Sequence, residues 1–321
     1  MAKLFLASNF VLMGGGHLLI VYLGDDAVLQ EVEMQGPGSG FFGSWVHPPF
    51  GRDHIANTPH FGERGLYKSV EIAVRNPEAL WLLVGQVEAS LAGITDEISY
   101  EFGQNSNSFV NTVLWAVGLD LSRYKMTTGS ITFFPGDDKN VLLGANTRAG
   151  PDMPIALSVA LTGYDDVLHC GIGDDEIGGV AGTEGGDRLW LGAGIDVARV
   201  GAGRDWLIGE AGRDDLYGGG GADRFVFASV RESHSGQGQD VIHDLQGRDV
   251  IDLHQMDANR DQNGNQQFTC AEAPAAYSVW LVSAAGDRVF VRADVTGDAK
   301  ADLGLTAQVQ IGVITVDSFA L

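Results

Sequence analysis

Aspartate recurs through the middle of the chain, each time just after glycine and two residues before an apolar side chain. Five units read Gly185-Gly186-Asp187-Arg188-Leu189, Gly194-Ile195-Asp196-Val197-Ala198, Gly203-Arg204-Asp205-Trp206-Leu207, Gly212-Arg213-Asp214-Asp215-Leu216 and Gly221-Ala222-Asp223-Arg224-Phe225, at a step of nine residues. Two looser copies precede them, Gly163-Tyr164-Asp165-Asp166-Val167 and Gly173-Asp174-Asp175-Glu176-Ile177. The implied chemistry is the holding of a hard cation. Glycine permits the left-handed backbone angles of a tight turn. Such a turn can aim main-chain carbonyls and a carboxylate at one point, and oxygen ligands of that kind suit Ca²⁺. The candidate ligands are therefore Asp165, Asp175, Asp187, Asp196, Asp205, Asp214 and Asp223, with the turns at Gly185, Gly194, Gly203, Gly212 and Gly221.

Those ligands need elements that stack. Each unit fits the nonapeptide G-G-x-G-x-D-x-U-x, a six-residue turn followed by a three-residue strand. The inward residue of each strand is Leu189, Ala198, Leu207, Leu216 or Phe225. The pattern resembles the calcium-binding parallel β-roll of RTX proteins. Two nonapeptides make one turn of such a roll. Asp187, Asp205 and Asp223 then fall on one edge, and Asp196 and Asp214 on the other. Leu191 and Val200 replace the first glycine of their units, and Glu210 replaces a second glycine. The step from Gly173 to Gly185 is twelve residues, which marks a small insertion. The resemblance implies several bound calcium ions, about three to five, with the sites beside these departures the weakest.

Charge agrees with this reading. The formal net charge is −22, with −7 in residues 1–160 and −15 in residues 161–321. Without a cation the second half repels itself, so its folding is expected to be coupled to metal binding. The acidity argues against nucleic acid as a partner. Two cysteines, Cys170 and Cys270, make no disulfide framework and read as small buried hydrophobes. No apolar run is long enough for a transmembrane helix. The start, Met1 to Phe10, reads as a first strand and not as a signal peptide.

Beyond the repeats, residues 222–321 resemble the C-terminal region of serralysin-type secreted proteins. The match runs through Gln239-Asp240-Val241-Ile242-His243-Asp244-Leu245, Asp249-Val250-Ile251-Asp252-Leu253 and Asp294-Val295-Thr296-Gly297-Asp298, and ends at Asp317-Ser318-Phe319-Ala320-Leu321. It implies a β-rich cap and an uncleaved C-terminal signal read by type I secretion machinery, hence an extracellular protein. Asp294, Thr296, Asp298 and Asp302 also have the spacing of a calcium loop, and Asn259, Asp261 and Asn263 repeat it less completely. The protease of the serralysin family is not expected, because residues 1–160 contain no H-E-x-x-H pair.

In residues 1–155 two places could carry a reaction. Gly14-Gly15-Gly16-His17 opens an apolar run that ends at Tyr22-Leu23-Gly24. Asn105-Ser106-Asn107-Ser108 precedes a helical pattern at Phe109, Val113 and Val117, with Gly118 as its stop. Ser106 would sit at a helix N-terminus, where main-chain N–H groups favour developing negative charge. A histidine opening a strand and a small nucleophile opening a helix resemble the permuted papain-like fold of lecithin:retinol acyltransferase relatives. The resemblance implies an acyl or amide hydrolase or transferase, with Ser106 as nucleophile in place of the usual Cys and His17 as base. The other reading is a non-catalytic binding module in which Asn105-Ser106 is simply a helix cap. His47, His54 and His60 lie in a loop rich in Gly and Pro, at spacings that match no zinc motif. The expected architecture is an α+β N-terminal domain over 1–155, a parallel β-roll over 156–227 and a β-rich C-terminal cap over 228–321.

Overall fold

The computed structural model describes residues 2–11, 15–25, 29–32, 67–92, 106–119, 156–178, 184–234, 238–312 and 314–321. They belong to two compact units, Met1–Ile155 and Ala156–Leu321. The histidines at 47, 54 and 60 lie outside the described residues.

The first unit is α+β. Strands β1 (Lys3–Val11), β2 (Gly15–Leu23), β3 (Leu29–Val32) and β4 (Tyr67–Ile72) form an antiparallel sheet in the order β3-β2-β1-β4. Helix α1 (Pro77–Ala92) begins with proline, whose missing N–H costs nothing in a first turn. It buries Leu83, Val84 and Val87, three residues of the apolar face that the 3.6-residue period marks. Trp81 of α1 stacks on Tyr22 of β2, with ring centres 5.5 Å apart. Helix α2 (Ser106–Ala116) buries Val113 and Leu114. Its end is fixed by Gly118, whose φ is 74°. The Leu119 N–H donates to the Leu114 carbonyl at 2.8 Å and the Gly118 N–H to that of Trp115 at 3.0 Å. These two bonds satisfy carbonyls that a helix end would otherwise leave bare.

The second unit is a β-roll. One sheet runs, in spatial order, Phe319–Ala320, Val250–Asp252, Arg224–Val226, Trp206–Ile208, Arg188–Trp190 and Val167–His169. All its pairings are parallel. The other sheet places Val241–Gln246, Asp215–Tyr217, Val197–Arg199, Glu176–Gly178 and Ser158–Val159 side by side, again in parallel. Beyond Val241–Gln246 it continues through Leu303–Ile311, Arg288–Ala293 and Ser278–Ser283, the last three joined antiparallel. The roll and the cap thus share both sheets.

Register shows why a nine-residue period makes this shape. Leu207 pairs with Leu189 on one side and Phe225 on the other, while Ala198 pairs with Leu216 and Ile177. Every second unit therefore lies on the same sheet. The middle residue of each strand points inward, and Leu189, Ala198, Leu207, Leu216 and Phe225 are all fully buried.

Candidate metal centre

The turns between these strands put their aspartates into two columns. In the first column the N–H of Asp166 donates to Asp187 Oδ1, that of Asp187 to Asp205, that of Asp205 to Asp223 and that of Asp223 to Asp249, at 2.8–3.0 Å. In the second, Asp175 donates to Asp196, Asp196 to Asp214 and Asp214 to Asp240, at 2.7–3.1 Å. One carboxylate oxygen of each aspartate is thereby consumed by the backbone of the neighbouring rung. The second oxygen is not. Oδ2 of Asp175, Asp187, Asp196, Asp205, Asp214, Asp223 and Asp240 is buried and has no hydrogen-bond partner.

A buried carboxylate oxygen without a partner is costly, and its effect is visible in the acidities. Burial pushes Asp175, Asp187 and Asp214 up to about 8 and Asp240 to about 9. Asp223 rises to about 7, and Asp196 and Asp205 to about 6, again chiefly through burial. Neighbouring carboxylates add to the effect at Asp187, which faces Asp166 and Asp205. These columns cannot carry their full negative charge without a cation beside them.

The glycines make room in the same place. A Cβ built on Gly203 would meet the Gly185 carbonyl oxygen at 1.7 Å, and one on Gly221 the Gly203 carbonyl at 1.8 Å. A Cβ on Gly209 would meet Asp214 Oδ2 at 2.4 Å, and one on Gly218 would meet Asp223 Oδ2 at 2.8 Å. Where the first glycine of a unit is replaced, Leu191 and Val200 turn into the core and are buried. Glu210 keeps the left-handed conformation of the glycine it replaces, with φ at 64°, close to the 74° of Gly219. Among the described residues no three His, Cys, Asp or Glu side chains converge on a point. The ligand set is therefore the Oδ2 atoms together with the main-chain carbonyls of the glycine turns. That all-oxygen set fits a hard divalent cation such as Ca²⁺.

Several positions differ from the sequence reading. In the first copy the column residue is Asp166, not Asp165. Leu168 pairs with Leu189, so the aspartate two residues before it is the equivalent of Asp187. Asp165 is exposed and accepts the Gly186 N–H at 2.9 Å. The columns also continue past the five regular units, through Asp240 and Asp249. Asp244 adds two acceptors, for the N–H groups of Gly218 and Gly219 at 2.9 and 2.8 Å. A signal for the two added rungs was present, because Asp240 precedes Ile242 and Asp249 precedes Ile251 at the spacing every unit shows. It was masked by rung separations of 26 residues where the regular ones are 18. Cys170 is buried as expected, but Cys270 is exposed, because its strand Thr269–Ala271 is the outermost of its sheet.

The loop from Asp294 to Asp302 spends its oxygens on itself. Asp294 accepts the N–H groups of Thr296, Gly297 and Ala299, and Asp302 accepts those of Val295 and Thr296. Burial alone raises the Asp294 carboxyl, but these donors outweigh it and leave it below the ordinary range. In the Asn259 run, Asn259 caps the Asp261 N–H at 3.1 Å in the same way. Of the pair proposed for catalysis, His17 lies on β2 opposite Asn9, and Ser106 is the first residue of α2. Their side chains lie outside the described residues.

Parallel nine-residue rungs with paired aspartate columns define the class as an RTX β-roll, a family that implies calcium binding. Residues 158–311, just under half the chain, match the family described as Peptidase M10 serralysin C terminal. Comparison with curated proteins finds no match. Similar solved structures include two subunits of the mannuronan C5-epimerase of Azotobacter vinelandii, both determined in solution. One is 27% identical over 49% of this chain and 78% of its own, with a TM-score of 0.25. The other is 22% identical over 53% of this chain and 93% of its own, with a TM-score of 0.28. Among the described residues no helix is long and apolar enough to cross a membrane.

Proposed function

We propose that residues 156–321 are a calcium-triggered folding module that accompanies the N-terminal domain out of the cell and locks once outside. The observation that carries this is the set of seven buried Oδ2 atoms without partners, divided between two columns. In a calcium-poor interior their mutual repulsion opposes the stacked state. In a calcium-rich exterior the same oxygens become ligands, and binding free energy becomes folding free energy. The proposed load is about three to five ions, as the repeat count implies. The serralysin-like tail, whose last strand is Phe319–Ala320, supports export through a type I channel. Removal of residues 303–321 should then retain the chain inside cells that carry such a channel. Appearance of the truncated chain in the medium would exclude that route.

Hydrogen exchange on the full chain tests the calcium reading. With calcium, amides of 184–227 should be protected and the metal should co-purify. With chelator, protection should vanish from 156–321 and persist in β1, β2, α1 and α2. Unchanged protection under chelator, with no metal retained, would sink the proposal.

One observation favours a second, separate reading for the N-terminal domain. Helix α2, which opens at Ser106, lies against β2, which carries His17. That placement supports an acyl or amide hydrolase or transferase with Ser106 as nucleophile, His17 as base and helix N-terminal amides around the oxyanion. A serine-directed acyl probe should label the chain, and Ser106→Ala should abolish labelling while leaving the fold intact. A chain that takes no label is better described as a calcium-stabilised display of a non-catalytic binding module.

A further inference from the structure

The outer side of the six-stranded sheet carries a groove of about 400 Å³. Two rows of residues, together with Asp223 of the first aspartate column, bound it across four successive rungs. The strand row is Arg188, Trp206, Arg224 and Val250. The turn row is Gly186, Arg204, Ala222 and Arg248, each two residues before its partner in the strand row. Every rung thus contributes one arginine, alternately from strand and from turn, and the small Gly186 and Ala222 leave space beside the two strand arginines. Adjacent rungs are roughly 4.8 Å apart, as in any sheet.

The two strand arginines are held in place. Trp206 is 39% exposed, and the guanidinium carbons of Arg188 and Arg224 lie 5.7 and 5.2 Å from its ring centre. Such cation–π contacts orient a guanidinium without consuming its N–H donors. Arg224 also pairs with Asp252. Among the described residues Arg188, Arg204 and Arg248 form no ion pair. In a chain of net charge −22, four arginines along one groove are a local reversal of sign.

We propose that this groove binds a linear acidic polysaccharide that carries one carboxylate on each sugar. The charge pattern sets the class. One guanidinium per rung matches a polymer whose carboxylates recur about once per sugar ring, and the planar guanidinium fork receives a carboxylate with two parallel hydrogen bonds. A single-stranded nucleic acid fits less well. It needs open aromatic faces on which bases stack, and the Trp206 ring is flanked by guanidiniums. The carboxylates behind the groove, Asp187, Asp205, Asp223 and Asp249, belong to the first aspartate column. Their neutralisation leaves Arg188, Arg204 and Arg248 without an opposing carboxylate, while Arg224 keeps its pair with Asp252. Polysaccharide binding therefore accompanies the calcium-loaded state, and to that extent the proposal rests on the calcium reading above. Because the overall charge is negative, the attraction acts only at short range and weakens with salt.

The test uses the full chain saturated with calcium, titrated with short oligogalacturonates and followed by Trp fluorescence and calorimetry. Neutral malto-oligosaccharides and a single-stranded oligonucleotide serve as comparisons, and calcium content is measured on every sample. The expected result is saturable, salt-sensitive binding of the oligogalacturonate alone. Arg204→Gln with Arg248→Gln should weaken it by about tenfold or more. Both substitutions keep the turn main chain, the column aspartates and the Trp206 contacts, so calcium content should not change. Equal binding by wild type and variant would show that the ion alone bridges the carboxylates, and would overturn the proposal. Tighter binding of the oligonucleotide, or no binding by a chain with full calcium, would overturn it as well. A calcium-loaded chain that ignores the polymer removes the groove proposal alone, whereas a chain that retains no calcium fails the earlier reading.

Discussion

The two units of this chain hold together by different means. In the first, Leu4, Leu6 and Ile20 from the sheet and Leu83, Val84, Val87 and Val113 from the helices are buried, and apolar burial drives folding. In the second, each rung buries one inward side chain between its strands and one carboxylate in its turn. Leu207 and Asp205 are both fully buried, two residues apart. A thin apolar column flanked by charged columns has little stability until the charge is matched. On the proposed reading, one chain contains a domain that folds by apolar burial and another whose folding waits for an ion. It also predicts where the two units respond differently to the same perturbation.

The largest effect is expected from closing the gap between turns. Gly203→Ala places a methyl 1.7 Å from the Gly185 carbonyl oxygen, with backbone on the other side of the contact. The rungs must separate, at a cost at or above the about 1–3 kcal/mol of ordinary overpacking. Calcium stoichiometry should fall, and thermal melting of the second unit should drop or lose cooperativity. A variant with normal melting and a full calcium load would contradict the stacking described above.

Acidity is expected to act on the second unit in opposite directions with and without calcium. Folded-state values near 8 for Asp175, Asp187 and Asp214 lie above the unfolded value near 3.8. For a raised carboxyl, the contribution to stability is complete below the unfolded value and is lost as pH rises through the folded one. In chelator, the second unit should therefore melt higher at about pH 5 than at about pH 9. In calcium the order should reverse, because protons compete for the Oδ2 atoms that the ion needs. Melting that does not depend on pH in chelator would mean that these carboxylates are not buried as described.

A smaller difference between the units sharpens the comparison further. Leu207→Ala in the roll and Val87→Ala in α1 each remove buried apolar atoms. Leu207→Ala should cost about 2–5 kcal/mol, and Val87→Ala somewhat less, since fewer atoms are lost. Only the first loss should be partly offset by raising calcium, since ligand binding adds stability by mass action to the unit that binds it. Denaturant melts at two calcium concentrations distinguish them, and an equal response of both variants would imply a single cooperative unit.

Legibility followed the length scale of the code. A roll rung is nine residues long and takes its shape from its own glycines, so the repeat spacing alone assigns Asp187, Asp196, Asp205, Asp214 and Asp223 to their edges. The Asp165 position failed because two aspartates stand side by side, and only pairing of Leu168 with Leu189 selects Asp166. Gly118 ends α2 as its sequence position implies, since a left-handed stop is a local property. The relation of His17 to Ser106 is not local, and no spacing along the chain encodes it.

The sequence by itself determined the rung, the inward residue, the oxygen chemistry and the preference for a hard cation, because each depends on neighbours within one nonapeptide. Tertiary structure alone decided how far the columns run, to Asp240 and Asp249, and that seven Oδ2 atoms would be left without partners. It also decided that arginines from four rungs would share one groove. The physical reason is the same in each case. Stacking brings together residues 18, 21 or 26 positions apart, and the loops that set those separations are not periodic.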